Sequence, residues 1–440
     1  MSAVRAAALS VALVAAVAGC ARREAPAGRP DIVLVSVDTL RADRLGCYGN
    51  PRPVSPEIDR FRADGVRFET ALAHASSTLS SHASMLTSLP PTAHAASFAL
   101  RRRLPDEVVT LAEVLRDAGY RTVAITASGQ LAPAFGLGQG FEVYRSRIEK
   151  HEAGAFWPRV GAGLSQLADP DPRPVFLFLH TYETHHPYTP ERALLDELDP
   201  GYQGTLGHKI PVELLQRVNA GEVELDERDR RRVERAYEAE IRSVDRAFGR
   251  LIEGLEESGR LRDAVVVLTS DHGEEFGEHG RLGWHSHTLY EELLRVPLIL
   301  RLPRAERAGA TVATPVRLID LAPTLLELAG VPAPPQFAGR SLLPLARGGN
   351  PRELPAVASL DETEGASHAI RWQGWKLYDG RLFDLARDPA ESVDRAAGEA
   401  ERRAELDRLL AAVLAERAAA GPSAELDAAA ERELRALGYL

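Results

Sequence analysis

Residues 31–38 read DIVLVSVD, an unbroken apolar run that stops on a carboxylate. A strand covered on both faces has this signature, because neither side can carry a polar residue. Residues 264–271, AVVVLTSD, repeat the pattern, and RPVFLFLH at 173–180 ends on a histidine. Between such runs lie helical signals. In TLAEVLRDAGYRTVAIT at 110–126, Thr110 and Glu113 have capping-box spacing, Leu111, Val114 and Leu115 share a face, and Gly119 stops the turn before a strand at Thr122 to Thr126. Ile241, Val244, Phe248, Leu251, Ile252 and Leu255 mark one side of a long helix. VPLILRL at 296–302 supplies a further strand.

Strands alternating with helices predict an α/β fold, a mostly parallel sheet sandwiched by helices. In open sheets of this kind, sites gather beyond the carboxyl ends of the strands. Asp38, His180 and Asp271 each stand at such an end. The pattern changes near Leu354. HAIRWQGWKLYDGRLFDLARDP at 368–389 reads as short strands with an Asp379-Gly380 hairpin turn, and two Ala/Leu/Glu/Arg-rich helical segments follow. The expected organisation is a main domain at 31–350 and a small α+β subdomain with a helical tail at 351–440. The stretches Ser146 to Pro172 and Glu191 to Asp229 read as polar loops around the site.

The first twenty residues, MSAVRAAALSVALVAAVAGC, carry one positive charge, a short apolar run and a small-residue ending. This is the layout of a secretory signal rather than a membrane span. VAGC resembles a bacterial lipobox, so residues 1–19 are expected to be a lipoprotein signal peptide, Cys20 a lipidated anchor and residues 20–30 a tether. The expected location is the bacterial cell envelope, lipid-anchored at the outer membrane or in the periplasm. With Cys20 so used, Cys47 is the one thiol left and no intrachain disulfide forms. At 440 residues and 45% apolar content the chain supports one large domain and a smaller one, and a net charge of −10 argues against general nucleic-acid binding.

SSTLSSHASMLTS at 76–88 crowds hydroxyls around His82. Alone it reads as a solvated loop or a helix cap. Beside Asp38 and the Asp271-His272 pair it reads differently. Two carboxylates and an imidazole offer a divalent cation hard oxygens and a borderline nitrogen, with a hydroxyl to complete the set.

The segments VLVSVDTLRADRLGCYG, SSTLSSHASMLTSLPP, FLHTYETHHPYTP, AYEAEIRSVDRAFGRLIEGL, TSDHGEEFGEHG, HSHTLYEELLRVPLIL and FAGRSLLPL occur in an order that resembles the sulfatases of the alkaline phosphatase superfamily. KLYDGRLFDLARDPAES fits as well. The resemblance implies metal ligands at Asp38, Asp271, His272 and Thr78. It places Thr78 at the nucleophile, Ser80 at the signature proline and His82 at the signature arginine, and it makes His185 the leaving-group acid. His285 or His287 falls where a further cationic substrate contact is expected. Thr39 stands where the family has a second Asp, and a local hydrogen bond is its expected role. His82 is expected at the substrate or in the metal shell, His94 in ordering the loop after the nucleophile helix, and Glu274, Glu275 and Glu278 on a solvated acidic face. His180 reads equally as a core residue or a site residue.

Most sulfatases convert the signature Cys or Ser to formylglycine; Thr78, with neither Pro nor Arg after it, departs from that motif. The resemblance therefore implies an unmodified Thr acting as an alkoxide, which leans toward phosphomono- and phosphodiesters. The cofactor implied is one divalent ion, manganese or zinc ahead of calcium or magnesium, with a second ion at Glu183, His185 and His285 as the alternative. The expected partner is an anionic sulfo- or phospho-ester, on a glycan or a lipid head group. Two other readings stand beside the hydrolase: a phosphoryl-group transferase acting on envelope glycans, and a non-catalytic surface protein binding anionic glycans.

Overall fold

The computed structural model describes residues 28–146, 154–362, 365–415 and 421–440. The signal segment and Cys20 lie outside the described residues. Strands β1 (Ile32–Val37), β2 (Val66–Leu72), β3 (Arg121–Thr126), β4 (Val143–Ser146), β5 (Val175–Thr181), β6 (Val265–Thr269), β7 (Glu275–Phe276), β8 (Leu282–Trp284), β9 (Arg295–Arg301), β10 (Thr311–Val312) and β11 (Val316–Arg317) precede the change of character. Nine of them form one sheet in the order β10-β2-β9-β6-β1-β5-β3-β4, with β11 also on β2. All neighbours are parallel except β9, which runs antiparallel to both β2 and β6. The strands β7 and β8 pair apart from it.

Strand β1 lies at the centre and is wholly buried. Its alternate side chains face two cores. Ile32 and Leu34 pack with Phe68, Leu79, Leu111, Leu115 and Leu325. Val33, Val35 and Val37 face Val233, Ile241, Val244, Phe248 and Leu251 of the helix Glu227–Glu257. The expected capping box at Thr110 and Glu113 opens the helix Leu111–Asp117. The two stretches read as loops contain helices instead. Phe156–Leu167 buries Phe156, Val160 and Leu167, and Val212–Asn219 buries Val212 and Leu215. Each carries apolar residues at helical spacing, Phe156, Val160, Leu164 and Leu167 in the first and Val212, Leu215 and Val218 in the second, and that face is what they bury.

Strands β12 (Ala356–Glu362), β13 (Gly365–Trp372), β14 (Trp375–Tyr378) and β15 (Arg381–Asp384) form a second, antiparallel sheet in chain order. Asp379 (φ 47°) and Gly380 (φ 74°) make its expected tight turn. Leu406 of the helix Ala400–Leu414 packs on Val357, Ile370, Leu377 and Leu382. Lys376, fully buried, ties this sheet to the rest through Glu391 at 2.9 Å and Glu291 at 3.3 Å. The helix Ala428–Ala436 then returns to the main body, with Leu434 in the large core. Among the described residues no helix is long and apolar enough to cross a membrane.

Candidate active site

The ends of β1, β5 and β6 meet the helix Thr78–Thr87, which is buried along its whole length. Asp38 follows β1, and Asp271 and His272 follow β6. One ligand atom from each of these three lies within 4.8 Å of the others. The loop after β6 is held from several sides. Ser81 Oγ donates to the Asp271 carbonyl at 2.6 Å, Ser270 Oγ donates to the His272 carbonyl at 2.7 Å, and the Leu40 amide donates to Ser270 Oγ at 2.9 Å. Thr39 takes a positive φ of 57°, which aims its amide at Asp271 Oδ1, 3.3 Å away. Its hydroxyl donates to the Thr184 carbonyl at 2.8 Å, a hydrogen bond as expected but one that reaches the loop after β5 rather than a local partner.

The hydroxyl run sorts itself by partner. Ser80 Oγ donates to the Ala96 carbonyl, Thr87 Oγ1 to the Ala83 carbonyl and Ser88 Oγ to the Ile319 carbonyl, while Ser84 meets His94. Thr78 differs. Its Oγ1 faces His272 Nε2 and the Tyr439 hydroxyl, each at 3.4 Å. His272 Nδ1 donates to the Gly273 carbonyl at 2.9 Å, which leaves an Nε2 lone pair turned toward Thr78 and the carboxylates.

Asp38 Oδ1 and Asp271 Oδ2 are buried without a hydrogen-bond partner. Burial, and then the charge of Asp271, push the Asp38 carboxyl well above the usual carboxylate range. Two adjacent buried carboxylates are costly unless a cation joins them. Orphaned oxygens, a lone-pair imidazole nitrogen and a hydroxyl therefore fit one divalent ion.

His180 belongs to the site: its Nε2 lies 3.3 Å from Asp38 Oδ2. His82 is fully buried beneath it. Its Nδ1 donates to the Thr78 carbonyl, Nε2 accepts from Ser36 Oγ, both at 2.9 Å, and Asp271 Oδ2 lies 3.5 Å from Nδ1. It thus supports the carboxylate from behind and does not face substrate. His94 bridges Ser84, the Ser80 carbonyl and the Ala96 amide, ordering the loop as expected.

A second group, His185, His186 and His285, stands beside the first. His285 Nδ1 donates to Glu274 Oε1 at 2.9 Å, and Tyr188 donates to Glu274 Oε2 at 3.1 Å. Glu274 and Glu275 are buried, so the expected solvated acidic face is wrong for both; only Glu278 is exposed, paired with Arg41. Burial alone would raise the Glu274 carboxyl, but His285 and His186 hold it below the usual range. Burial pushes the His285 imidazole down to about 4 against the pull of Glu274. His287 pairs with Glu275 at 2.8 Å instead of joining the group. Glu183 also stands apart, accepting from the Gly154 and Phe156 amides at 2.6 and 2.8 Å, so it is no ligand for a second ion.

Three residues escaped the reading of the sequence. His186, stacked on Trp284 at 4.6 Å, was visible only as the neighbour of His185. Glu274 looked like one of several acidic side chains. Tyr439 carried no local signal, yet its hydroxyl lies 2.8 Å from His185 Nε2 and 3.0 Å from His285 Nε2.

The family model described as Sulfatase matches residues 30–331. The N-acetylglucosamine-6-O-sulfatase of Bacteroides thetaiotaomicron is 35% identical over 198 residues, 40% of this chain and 34% of that protein, so the match spans about a third of the relative's length. Among solved structures, one in complex with its substrate D-glucosamine-2-N,6-O-disulfate superposes with a TM-score of 0.73 at 22% identity, covering 88% of this chain and 98% of the other. The phosphonate monoester hydrolase of Agrobacterium radiobacter gives 0.72 at 21% identity, over 88% and 96%. These two share the fold, and the family match covers more than half of the chain: it belongs to the sulfatase family.

Proposed function

We propose that the chain is a metal-dependent hydrolase of sulfate or phosphate esters with Thr78 as nucleophile, and that phosphomono- and phosphodiesters are its better substrates. One observation carries the reading. From Thr78 to Ser88, Thr78 is the hydroxyl directed at the carboxylate-imidazole group, while Ser80, Ser81, Thr87 and Ser88 donate to carbonyls.

Asp38, Asp271, His272 and Thr78 would hold the divalent ion, which supplies positive charge that acidifies a hydroxyl and neutralises an anionic ester. The donor set, oxygen-rich with one nitrogen, favours manganese or zinc over calcium or magnesium. Thr78 Oγ1 attacks the central atom in line, its bond to that atom forms and the ester bond breaks. The Thr78 proton passes to an Nε2 lone pair on the His185–His285 side of the site, and the departing alkoxide takes a proton back from that side. Water then attacks the central atom of the Thr78 adduct, and Thr78 recovers its proton. An unmodified threonine has no second hydroxyl through which to expel sulfate by collapsing to a carbonyl, so attack by water suits phosphorus. A second ion would sit at His185, His186 and His285, and a metal content of two per chain would support it.

We further propose an anionic glycan or lipid head group as the substrate's carrier and lipid attachment at Cys20 in the envelope; a Cys20→Ala variant that still partitions with membranes would overturn the latter. Quenching turnover and measuring the accurate mass of the Thr78 peptide tests the chemistry. A phosphoryl adduct is expected on a phosphate ester. Faster release of sulfate than phosphate, or an adduct on another residue, would overturn the reading. Turnover in water without an alcohol acceptor separates the hydrolase from a transferase.

A further inference from the structure

Tyr439 is 361 positions from Thr78, and its side chain is delivered by a built segment. Asp427 caps the helix Ala428–Ala436 by accepting from the Ala429 and Ala430 amides. Leu434 and Leu437 are fully buried, the latter with Ala127 and Tyr182. Gly438 then turns the chain at φ 79°, and a Cβ there would lie 2.7 Å from Val212 Cγ2, so the close turn requires glycine. The Tyr439 ring rests on Phe98 with centroids 5.2 Å apart, which points the hydroxyl inward.

A buried phenol is satisfied by one partner. This one stands among three: His185 Nε2 at 2.8 Å, His285 Nε2 at 3.0 Å and Thr78 Oγ1 at 3.4 Å. His285 gives its Nδ1 proton to Glu274, and His185 Nδ1 donates to the His186 carbonyl. In their neutral forms both rings therefore present Nε2 lone pairs to the phenol. The phenol proton is the donor that both rings face, beside the attacking oxygen.

We propose that Tyr439 is a catalytic residue whose hydroxyl donates a hydrogen bond to the leaving-group oxygen of the ester attacked by Thr78. At rest the phenol donates its one proton to Nε2 of His185 or His285. When either ring takes up the Thr78 proton, its Nε2–H donates to the phenol oxygen and frees the phenol proton for the leaving group. The proposal rests on the reading of Thr78 as the nucleophile. It assigns to residues 421–440, beyond the second sheet, a part in the chemistry of the first.

The test is Tyr439→Phe in the full chain, which removes the hydroxyl and keeps the ring on Phe98. Rates are measured on para-nitrophenyl phosphate and on an alkyl phosphate with its poor leaving group. A lost donor to the leaving oxygen costs about 100-fold in kcat on the alkyl ester and far less on the nitrophenyl ester. Phe98→Leu, which disturbs the packing of the ring and spares the hydroxyl, is expected to leave the ratio of the two rates unchanged. An equal loss on both esters, no loss, or a gain in rate with Tyr439→Phe would overturn the proposal; a gain would make the phenol a plug. The Thr78 adduct is followed in the same samples. If it forms in wild type and variant while the ratio stays constant, Tyr439 fails and the nucleophile stands. If it is absent from wild type, the nucleophile fails and this proposal with it.

Discussion

His272 Nε2 stands 3.4 Å from the Thr78 hydroxyl across 194 positions of sequence, and its Nδ1 proton is committed to the Gly273 carbonyl. The ring is thereby fixed in the tautomer that a metal ligand needs. Replacing Thr78 by Val, which keeps the shape and removes the oxygen, is expected to lower kcat by about a thousandfold or more, while Thr78→Ser retains most of it. Steady-state rates on a phosphate ester check both. A Val variant within tenfold of wild type, by the rough scale of lost nucleophiles, would remove Thr78 from the chemistry.

The unpartnered oxygens of Asp38 and Asp271 predict opposite effects of charge removal with and without metal. In chelated protein, Asp271→Asn relieves repulsion between two buried carboxylates and raises the melting temperature. Added manganese or zinc stabilises the wild type and has no such effect on the variant. Thermal unfolding across a metal titration reads both arms. A wild type indifferent to metal would contradict the site.

Lys376 sits between Glu291 and Glu391 with no exposure to solvent. Lys376→Ala leaves Glu391 buried without its cation, while Glu291 keeps Arg371 at 3.3 Å, at an expected cost of about 3–5 kcal/mol. Urea unfolding measures it. A loss of less than about 1 kcal/mol, the scale of a surface pair, would show that Glu391 rearranges into water.

Burial pushes the His74 and His94 imidazoles down to about 3. The unfolded chain protonates them near pH 6.5, as free histidine does at about that value. Below that point the unfolded state binds the extra protons. Stability is therefore complete above about pH 6.5 and falls by up to about 1.4 kcal/mol per pH unit for each ring as pH drops toward 3. Unfolding midpoints measured across this window are expected to decline less steeply in His94→Gln than in wild type. Equal slopes would mean that His94 is protonated in the folded state.

The sheet was legible because its signals are local. A strand covered on both faces has to be apolar throughout, and β1, β5 and β6 are. Strand β2 was not recognised: VRFETAL mixes buried and half-buried positions, and a register break between Phe68 and Ala71 interrupts its pairing. The helices Phe156–Leu167 and Val212–Asn219 escaped for a different reason: their apolar face is short, and Pro158, Gly161 and Gly163 in the first and the polar residues around the second read as breakers and loop.

The sequence by itself determined the layered α/β architecture and the carboxylate, imidazole and hydroxyl residues that meet at the strand ends, because strand ends and hydroxyl or carboxylate chemistry are written in short stretches. Only the tertiary structure decided which groups do what. It turned His82 inward beneath Asp271, sent His287 to Glu275, buried Glu274 against His285 and brought Tyr439 to Thr78. Those roles depend on where separate elements converge and on how many hydrogen-bond partners each atom finds there, and no local pattern carries that information.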